Sequence, residues 1–336
     1  MIRDNEGEKR LIEKIRGKRV LYVATKNLDY LRLQQEIKLI QKYSDKATVI
    51  VSDSKSYIKR ILFTYKKLLM TRSKDYDVFF VGFMAQMIIP VWKWKFRKCD
   101  IIIDFFISVY DTLVDDRKKI KGKSLPGRFV HCLDKNTIKA ADWIICDTKA
   151  HGKYFAEEFG LKEKSRLLVV YLEADTKYYH RMDADRPKKW KHKFLVLYFG
   201  SILPVQGVDI VMRAAELLEG ESDIAFLIIG PIGKSGERAE SDNVMYINWL
   251  PQNELAEYIA FSDLCLAGHF SDSVGKAKRT IPGKAYIYAA MGKRMILGDT
   301  PANRELFDEK EDNVSFVEPG NAQRLADQIL DYYNRS

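Results

Sequence analysis

The sequence predicts an α/β protein made of two Rossmann-like domains facing across a cleft. Short apolar runs rich in branched and aromatic residues alternate with longer stretches of helical spacing, as in the βαβ units of parallel sheets, and this rhythm stops once and restarts. Length agrees, since 336 residues, 46% hydrophobic and 30% charged, suffice for two ordinary cores.

In the first half the expected strands are Arg19 to Ala24, Ala47 to Val51, Val78 to Val81, Ile101 to Asp104, Trp143 to Cys146 and Leu167 to Tyr171, with helices between them. Residues 180 to 193, HRMDADRPKKWKHK, have no apolar face and carry one proline and six Lys or Arg. A linker over 181–193 is therefore expected, dividing an N-terminal domain, 1–180, from a C-terminal one, 194–336. Beyond it the strands are Phe194 to Phe199, Ala225 to Ile229, Val244 to Ile247, Leu264 to Ala267, Met295 to Leu297 and Val314 to Phe316. Ligands of open parallel sheets bind at the carboxyl ends of the strands, so function is expected there.

Charge separates the halves. Residues 1–193 hold 43 Lys and Arg against 25 Asp and Glu, a net of +18, whereas residues 194–336 hold 13 against 21, a net of −8. A basic first half suits a polyanion or an anionic membrane leaflet. The acidic second half and the lack of any nucleic-acid-binding module argue against nucleic acid. The charged N-terminal stretch has no apolar h-region, so a cytoplasmic protein is expected. The longest apolar stretch, Val78 to Trp92, contains Gln86 and Pro90 and falls short of the ~20 residues of a spanning helix. Cys99, Cys132, Cys146 and Cys265 form no C-x-x-C pair and read as core thiols. His131, His151, His180, His192 and His269 lack metal-ligand spacing, and Asp75/Asp77 and Asp183/Asp185 precede a strand and sit in the linker. No metal or other cofactor is expected.

Two segments of the second half carry candidate chemistry. In LVLYFGSILPVQGVDIVMRAAELL, residues 195–218, Gly200 lets a ligand approach the backbone, and the helix after Gly207 offers free N–H groups, a suitable seat for a diphosphate. The alternative is an ordinary strand-to-helix turn. Residues 268–306 gather Lys276, Lys278, Arg279 and Lys284 just before a helix expected over Ala285 to Met291. Cations at a helix N-terminus oppose its dipole, and a bound phosphate relieves the conflict. A solvated basic loop is the competing reading, and His269 opens it.

The order of these pieces resembles glycosyltransferase family 4. It consists of the strand ending in Gly200, the turn closing at Gly207, the strand ending in Gly230, the NVMYINWLP turn with Trp249 and Leu250, and PGKAYIYAAMGKRMILGD. The resemblance reaches back to residues 101–118 and 141–155. It implies the GT-B fold and a retaining, metal-independent transfer of sugar from a nucleotide diphosphate, UDP or GDP, to a hydroxyl of a glycan or lipid-linked acceptor. Members of the family place Arg after the first glycine and Lys before the second, both on the diphosphate; here Ser201 and Gln206 stand there. The Glu-x7-Glu pair that holds the ribose falls on Arg279 and Ile287. These departures leave open a degenerate relative that binds a glycan, membrane or partner enzyme without catalysis; an epimerase of the same architecture is a further alternative.

On the acceptor side, Asp104 ends a strand at the cleft and is the candidate to orient or deprotonate a hydroxyl, unless it caps the next helix. Tyr110, Asp111 and Arg117 follow it, the latter two alternatively a surface ion pair, and Lys26 and Asn27 follow the first strand. Membrane contact is expected at KSYIKRILFTYKKLLMTRSK, residues 55–74, and at VWKWKFRK, residues 91–98. In the first, Tyr57, Ile58, Ile61, Leu62, Tyr65, Leu68 and Leu69 recur at helical spacing among lysines; in the second, Trp92, Trp94 and Phe96 interleave with cations. A core-facing helix with a solvated basic face is the alternative. Together these place the protein on the inner face of a membrane.

Overall fold

Each of the twelve apolar runs forms a strand in the computed structural model, which describes residues 5–231, 239, 241–310 and 313–336. The chain divides into two compact units, one ending at Glu173 and one running from Ala174 to Ser336.

The first unit holds strands β1 (Arg19–Val23), β2 (Lys46–Ile50), β3 (Val78–Val81), β4 (Asp100–Asp104), β5 (Trp143–Cys146) and β6 (Leu167–Val169). They pair parallel in the order β2-β1-β3-β4-β5-β6. Side chains of a strand alternate between faces, and here both faces are apolar: Leu21, Val23, Phe79, Val81, Ile101 and Ile103 enter one core, Val20, Tyr22, Val78, Phe80 and Ile102 the other. Helices α1 (Glu6–Ile15) and α2 (Leu31–Tyr43) cover the second core with Leu11, Ile15, Leu33 and Ile40. Helices α3 (Tyr57–Met70), α4 (Ile89–Trp92), α5 (Leu125–Ala140) and α6 (Lys149–Phe159) cover the first with Leu68, Trp92, Ile138 and Phe155. Local signals set the helix ends. Ser124 and Thr148 cap α5 and α6 by accepting from the Gly127 and His151 amides, and Gly160, at φ +67°, stops α6.

The second unit holds β7 (Phe194–Phe199), β8 (Ile224–Ile229), β9 (Val244–Ile247), β10 (Leu264–Gly268), β11 (Met295–Gly298) and β12 (Val314–Val317). Its parallel order is β12-β11-β10-β7-β8-β9. Helices α7 (Val208–Leu217), α8 (Gln252–Phe261), α9 (Gly283–Ala290), α10 (Pro301–Leu306) and α11 (Ala322–Asn334) connect and flank the strands. Val211, Met212, Leu325 and Ile329 of α7 and α11 pack on Val196, Tyr198, Phe226 and Ile228. The direction in which successive strands are added reverses between β1 and β3 in the first sheet and between β7 and β10 in the second. A crevice opens outside the strand ends at such switch points.

The expected linker differs from the structure. The division falls at Glu173, and residues 181–193 pack on the second unit. Trp190 is buried on a 3-10 turn, Lys188–Trp190, and Arg186 donates to Asp263 Oδ1 at 2.7 Å and to the Phe261 carbonyl at 2.6 Å. Proline and cations gave the segment a linker's composition, but one tryptophan and one matched guanidinium anchor it. Among the cysteines, Cys99, Cys146 and Cys265 are buried as expected, whereas Cys132 is exposed on α5.

Candidate functional site

Three glycines clear the floor of the second unit's switch point: Gly200 after β7, Gly230 after β8 and Gly268 ending β10, at φ +136°, +152° and +95°. A Cβ on Gly230 would lie 2.1 Å from the Gly200 carbonyl oxygen, and one on Gly268 would lie 2.7 Å from Gln206 Oε1 and 3.1 Å from Lys284 Nζ. Only glycine fits there.

Beneath this floor lies a charged group without a matching charge. Lys284, in the first turn of α9, is 6% exposed. Its Nζ donates to Gln206 Oε1 at 2.7 Å and sits 3.9 Å from the centre of the Tyr198 ring. Burial pushes its ammonium well below the ordinary lysine range. The Tyr198 hydroxyl is buried and makes no hydrogen bond. An anion entering over Gly200 and Gly268 would meet the amine and the first amides of α9 together.

Other expected donor residues surround this pair at different depths. Gln206 ends a 3-10 turn, Pro204–Gln206, and Gly207 starts α7. The turn Gly275–Lys278 packs on it through Val205, Val274 and Ala277, which brings Lys276, Lys278 and Arg279 to the same side. Lys278 is exposed, Lys276 and Arg279 half-buried. His269, at φ +57°, uses Nδ1 to donate to the Thr280 carbonyl at 2.7 Å, so its ring clamps this loop. Ser201 lines a cavity of 760 Å³ with Leu203, Asp209, Arg213, Asp272 and Ser273. Trp249 and Leu250 follow β9 at the sheet edge, away from the switch point, with Trp249 exposed.

In the first unit Asp104 lies inside the protein. Its side chain is 3% exposed; Oδ2 accepts from Arg32 Nε at 3.1 Å and Oδ1 from the Phe106 amide at 3.1 Å. Arg32 also donates to the Val170 carbonyl at 2.6 Å and lies 3.6 Å from Glu36, which accepts from the Tyr22 hydroxyl at 2.6 Å. Burial, then the Asp104 charge, raise the Glu36 carboxyl. Asp104 thus belongs to a buried ion network tying β4 to α2, and it neither caps a helix nor offers a free base.

Asp111 is also buried, in a π-helical turn, Asp111–Asp116, rather than in a surface pair with exposed Arg117. Its carboxylate lies 3.9 Å from His151 Nε2, and His151 Nδ1 lies 2.6 Å from Asp147. The turn is pinned by Asp134, which accepts from Gln86, Ser108 and the Tyr110 amide. Burial raises the Asp134 carboxyl despite those donors. Tyr110 stays half-buried against His131. Lys26 and Asn27 stand at the β1/β3 switch point, Lys26 Nζ 5.6 Å from the Tyr30 and Phe83 rings and Asn27 donating to Asp29 at 2.8 Å.

Helix α3 is amphipathic with its faces exchanged. Arg60, Thr64 and Leu68 point inward, Arg60 donating to the Thr25, Ser54 and Lys55 carbonyls. Ile58, Leu62, Leu69 and Met70 point outward, Ile58 at 70% and Met70 at 73% exposure, beside exposed Lys59, Lys66 and Lys67. Residues 91–98 divide: Trp92 and Phe96 enter the core, Phe96 stacking on Phe79 at 4.1 Å, while Val91 and Trp94 stay exposed. Lys95 donates to the Leu68 and Leu69 carbonyls and joins the two stretches. Among the described residues, no helix is long and apolar enough to cross a membrane. Nor do three or more His, Cys, Asp and Glu side chains gather there to hold a metal.

Sequence reasoning missed the partners: Tyr198 and Gln206 for Lys284, Arg32 for Asp104, and Asp147 and His151 for Asp111. All but the Asp147–His151 pair, one helical turn apart, are joined by tertiary contact and leave no mark in local spacing.

A family model described as "Glycosyl transferases group 1" matches residues 193–335. No curated protein matches the chain by sequence. Solved structures share its fold. Anabaena Alr3699/HepE, in complex with UDP and glucose, superposes with a TM-score of 0.65 at 14% identity, over 94% of this chain and 89% of that one. Sucrose-phosphate synthase from Thermosynechococcus elongatus gives 0.65 at 12%, over 94% and 90%. A glycosyltransferase from Rickettsia africae gives 0.58 at 12%, over 94% and 88%.

Proposed function

We propose that this chain is a GT-B glycosyltransferase that moves a sugar from a UDP or GDP sugar to a hydroxyl of a membrane-associated glycan or lipid-linked acceptor; the match of residues 193–335 to the glycosyl transferases group 1 model and the shared fold of the solved structures support the reading. The observation that carries the donor half is Lys284, a buried amine with a neutral hydrogen-bond partner, set under three glycines at the start of α9. The pair Gln206–Lys284 supplies from α9 the cation that the loop after β7 lacks. UDP is favoured because the Anabaena neighbour was crystallised with UDP and glucose.

Chemically, departure of a nucleoside diphosphate needs its growing negative charge met by fixed donors. Lys284, the α9 amides and Arg279 meet it without metal, and the resemblance to retaining enzymes supports transfer with retention. On the acceptor side, Lys26 and Asn27 at the first switch point and Tyr110 and Arg117 beyond β4 bind the glycan. Asp104 takes no part, since Arg32 holds it. The outward apolar and basic face of α3, with Trp94, rests on the anionic inner face of a membrane.

A thermal-unfolding and calorimetric panel of UDP, GDP, ADP and their sugar conjugates tests the donor reading. A specific rise in unfolding temperature with one nucleotide is expected, because a ligand stabilises the native state it binds. A folded protein silent to all of them refutes it. A second reading, donor binding without transfer, is favoured by Ser201, Gln206 and Ile287 at positions where the family carries charge. Donor affinity without turnover toward any acceptor would select it.

A further inference from the structure

Residues 117–129, RKKIKGKSLPGRF, contain Arg117, Lys118, Lys119, Lys121, Lys123 and Arg128 and no acid. All six cations are exposed. Leu125, at 81%, is the most exposed large apolar side chain among the described residues, and Phe129, one turn further along α5, is 68% exposed. The strip has a fixed shape. The Lys119 and Ile120 amides donate to the Leu113 carbonyl at 2.8 and 3.2 Å, and Ser124 Oγ donates to the Lys121 carbonyl at 2.6 Å while accepting from the Gly127 amide. A Cβ on Gly127 would lie 2.4 Å from the Lys121 carbonyl oxygen, so α5 begins pressed against the basic loop.

A surface at once polycationic and tipped with Leu and Phe fits a partner that is polyanionic and apolar in successive layers. An anionic bilayer is such a partner: cations stay at the phosphates while Leu and Phe enter the acyl boundary. We propose that residues 117–129 form a second contact with an anionic membrane, separate from α3. The inference rests on the membrane reading above and extends it. α3, α4 and α5 cover the same face of the first sheet, so both contacts lie on one side of that unit. The strip starts directly after the turn that carries Tyr110 and Asp111. It therefore sets the lipid surface beside the acceptor residues, where a lipid-linked acceptor carries its own phosphate.

The test is partition of the full chain onto vesicles of phosphatidylcholine, with and without phosphatidylglycerol. Three variants are compared with wild type: Leu125→Ser with Phe129→Ser; Lys118→Ser with Lys119→Ser, Lys121→Ser and Lys123→Ser; and, on α3, Lys59→Ser with Lys66→Ser and Lys67→Ser. Wild type is expected to bind anionic vesicles, and each strip variant to partition about tenfold or more weakly, with its melting and response to UDP unchanged. A fluorophore on exposed Cys132, one turn beyond Phe129, is expected to report an apolar environment on anionic vesicles alone. Should serine at Leu125 and Phe129 perturb the fold, the lysine variant, altered only in the loop, decides. Strip variants that bind like wild type while the α3 variant is lost overturn this inference and leave the membrane reading standing. Failure of wild type to bind any vesicle overturns both.

Discussion

Replacing Lys284 by methionine keeps the length and apolar body of the side chain and removes only its amine. In the free protein that amine has one hydrogen bond, to Gln206, and rests on the Tyr198 ring. A diphosphate entering over Gly200 would take charge-assisted hydrogen bonds from it, each worth about 1.5–3 kcal/mol. The variant should therefore bind a sugar nucleotide about 10- to 150-fold more weakly. Proton linkage gives the reasoning a second readout. Burial holds the free amine below its ordinary range, and the phosphate charges raise it again, so donor binding takes up a proton in the window between the two values. Donor affinity falls by up to about tenfold per pH unit as pH rises through that window, whereas the methionine variant loses this slope. The sign for folding is opposite. Between the lowered folded value and the ordinary one the unfolded chain binds the extra proton, so stability rises with pH across that range. Below it the methionine variant, freed from burying an ammonium, should melt no lower than wild type. Titration calorimetry with UDP-glucose from about pH 6 to 9, in buffers of different ionisation enthalpy, measures affinity and proton uptake together. Equal affinity and equal pH dependence in both proteins would refute the assignment.

Three further outcomes follow from the geometry. Asp104→Asn removes an anion from a buried network and leaves Arg32 poorly matched, which should cost about 3–5 kcal/mol in denaturant unfolding; unchanged stability with lost transfer would make Asp104 a reacting group after all. Gly230→Ala places a methyl group 2.1 Å from the Gly200 carbonyl at φ +152°, so about 2 kcal/mol or more of destabilisation is expected, and a variant as stable and as UDP-competent as wild type contradicts the packed floor. Lys59→Glu, Lys66→Glu and Lys67→Glu together should weaken sedimentation with anionic vesicles about tenfold or more and spare the fold, because all three are exposed, and undiminished sedimentation would refute the α3 contact; Arg60 is left in place since it is buried on three carbonyls.

The inner strands were legible because parallel strands buried on both faces read as unbroken apolar runs, and the edge strands β2 and β9, largely exposed and half-buried, because branched and aromatic residues still mark them. The glycines at the second unit's switch point were legible for a related reason. Gly207 and Gly230 sit where the backbone itself must approach another group, and Gly200 at a φ of +136°, demands that fall on one residue at a time. Side-chain roles were less legible. Asp104 has the place of a catalytic acid at a strand end, but its carboxylate is hydrogen-bonded by Arg32 on α2, 72 residues away. Lys284 was found by its charge, whereas its burial and its bond to Gln206 belong to a meeting of α9 with the turn before α7. The outward face of α3 shows the limit of patterning: the helical period was right, but a period does not say which stripe turns inward. Arg60 went in, with its hydrogen bonds satisfied by carbonyls, and the larger apolar stripe stayed out.

Neither sheet borrows a strand from the other, and each closes on its own hydrophobic interior. Heat therefore need not act on the chain as one cooperative body. Its calorimetric enthalpy should exceed the van't Hoff value drawn from any single transition, and no one midpoint would describe the whole. A nucleotide seated in the second unit would retard the melting of that unit first, so the temperature at which each half yields becomes a record of where the ligand sits.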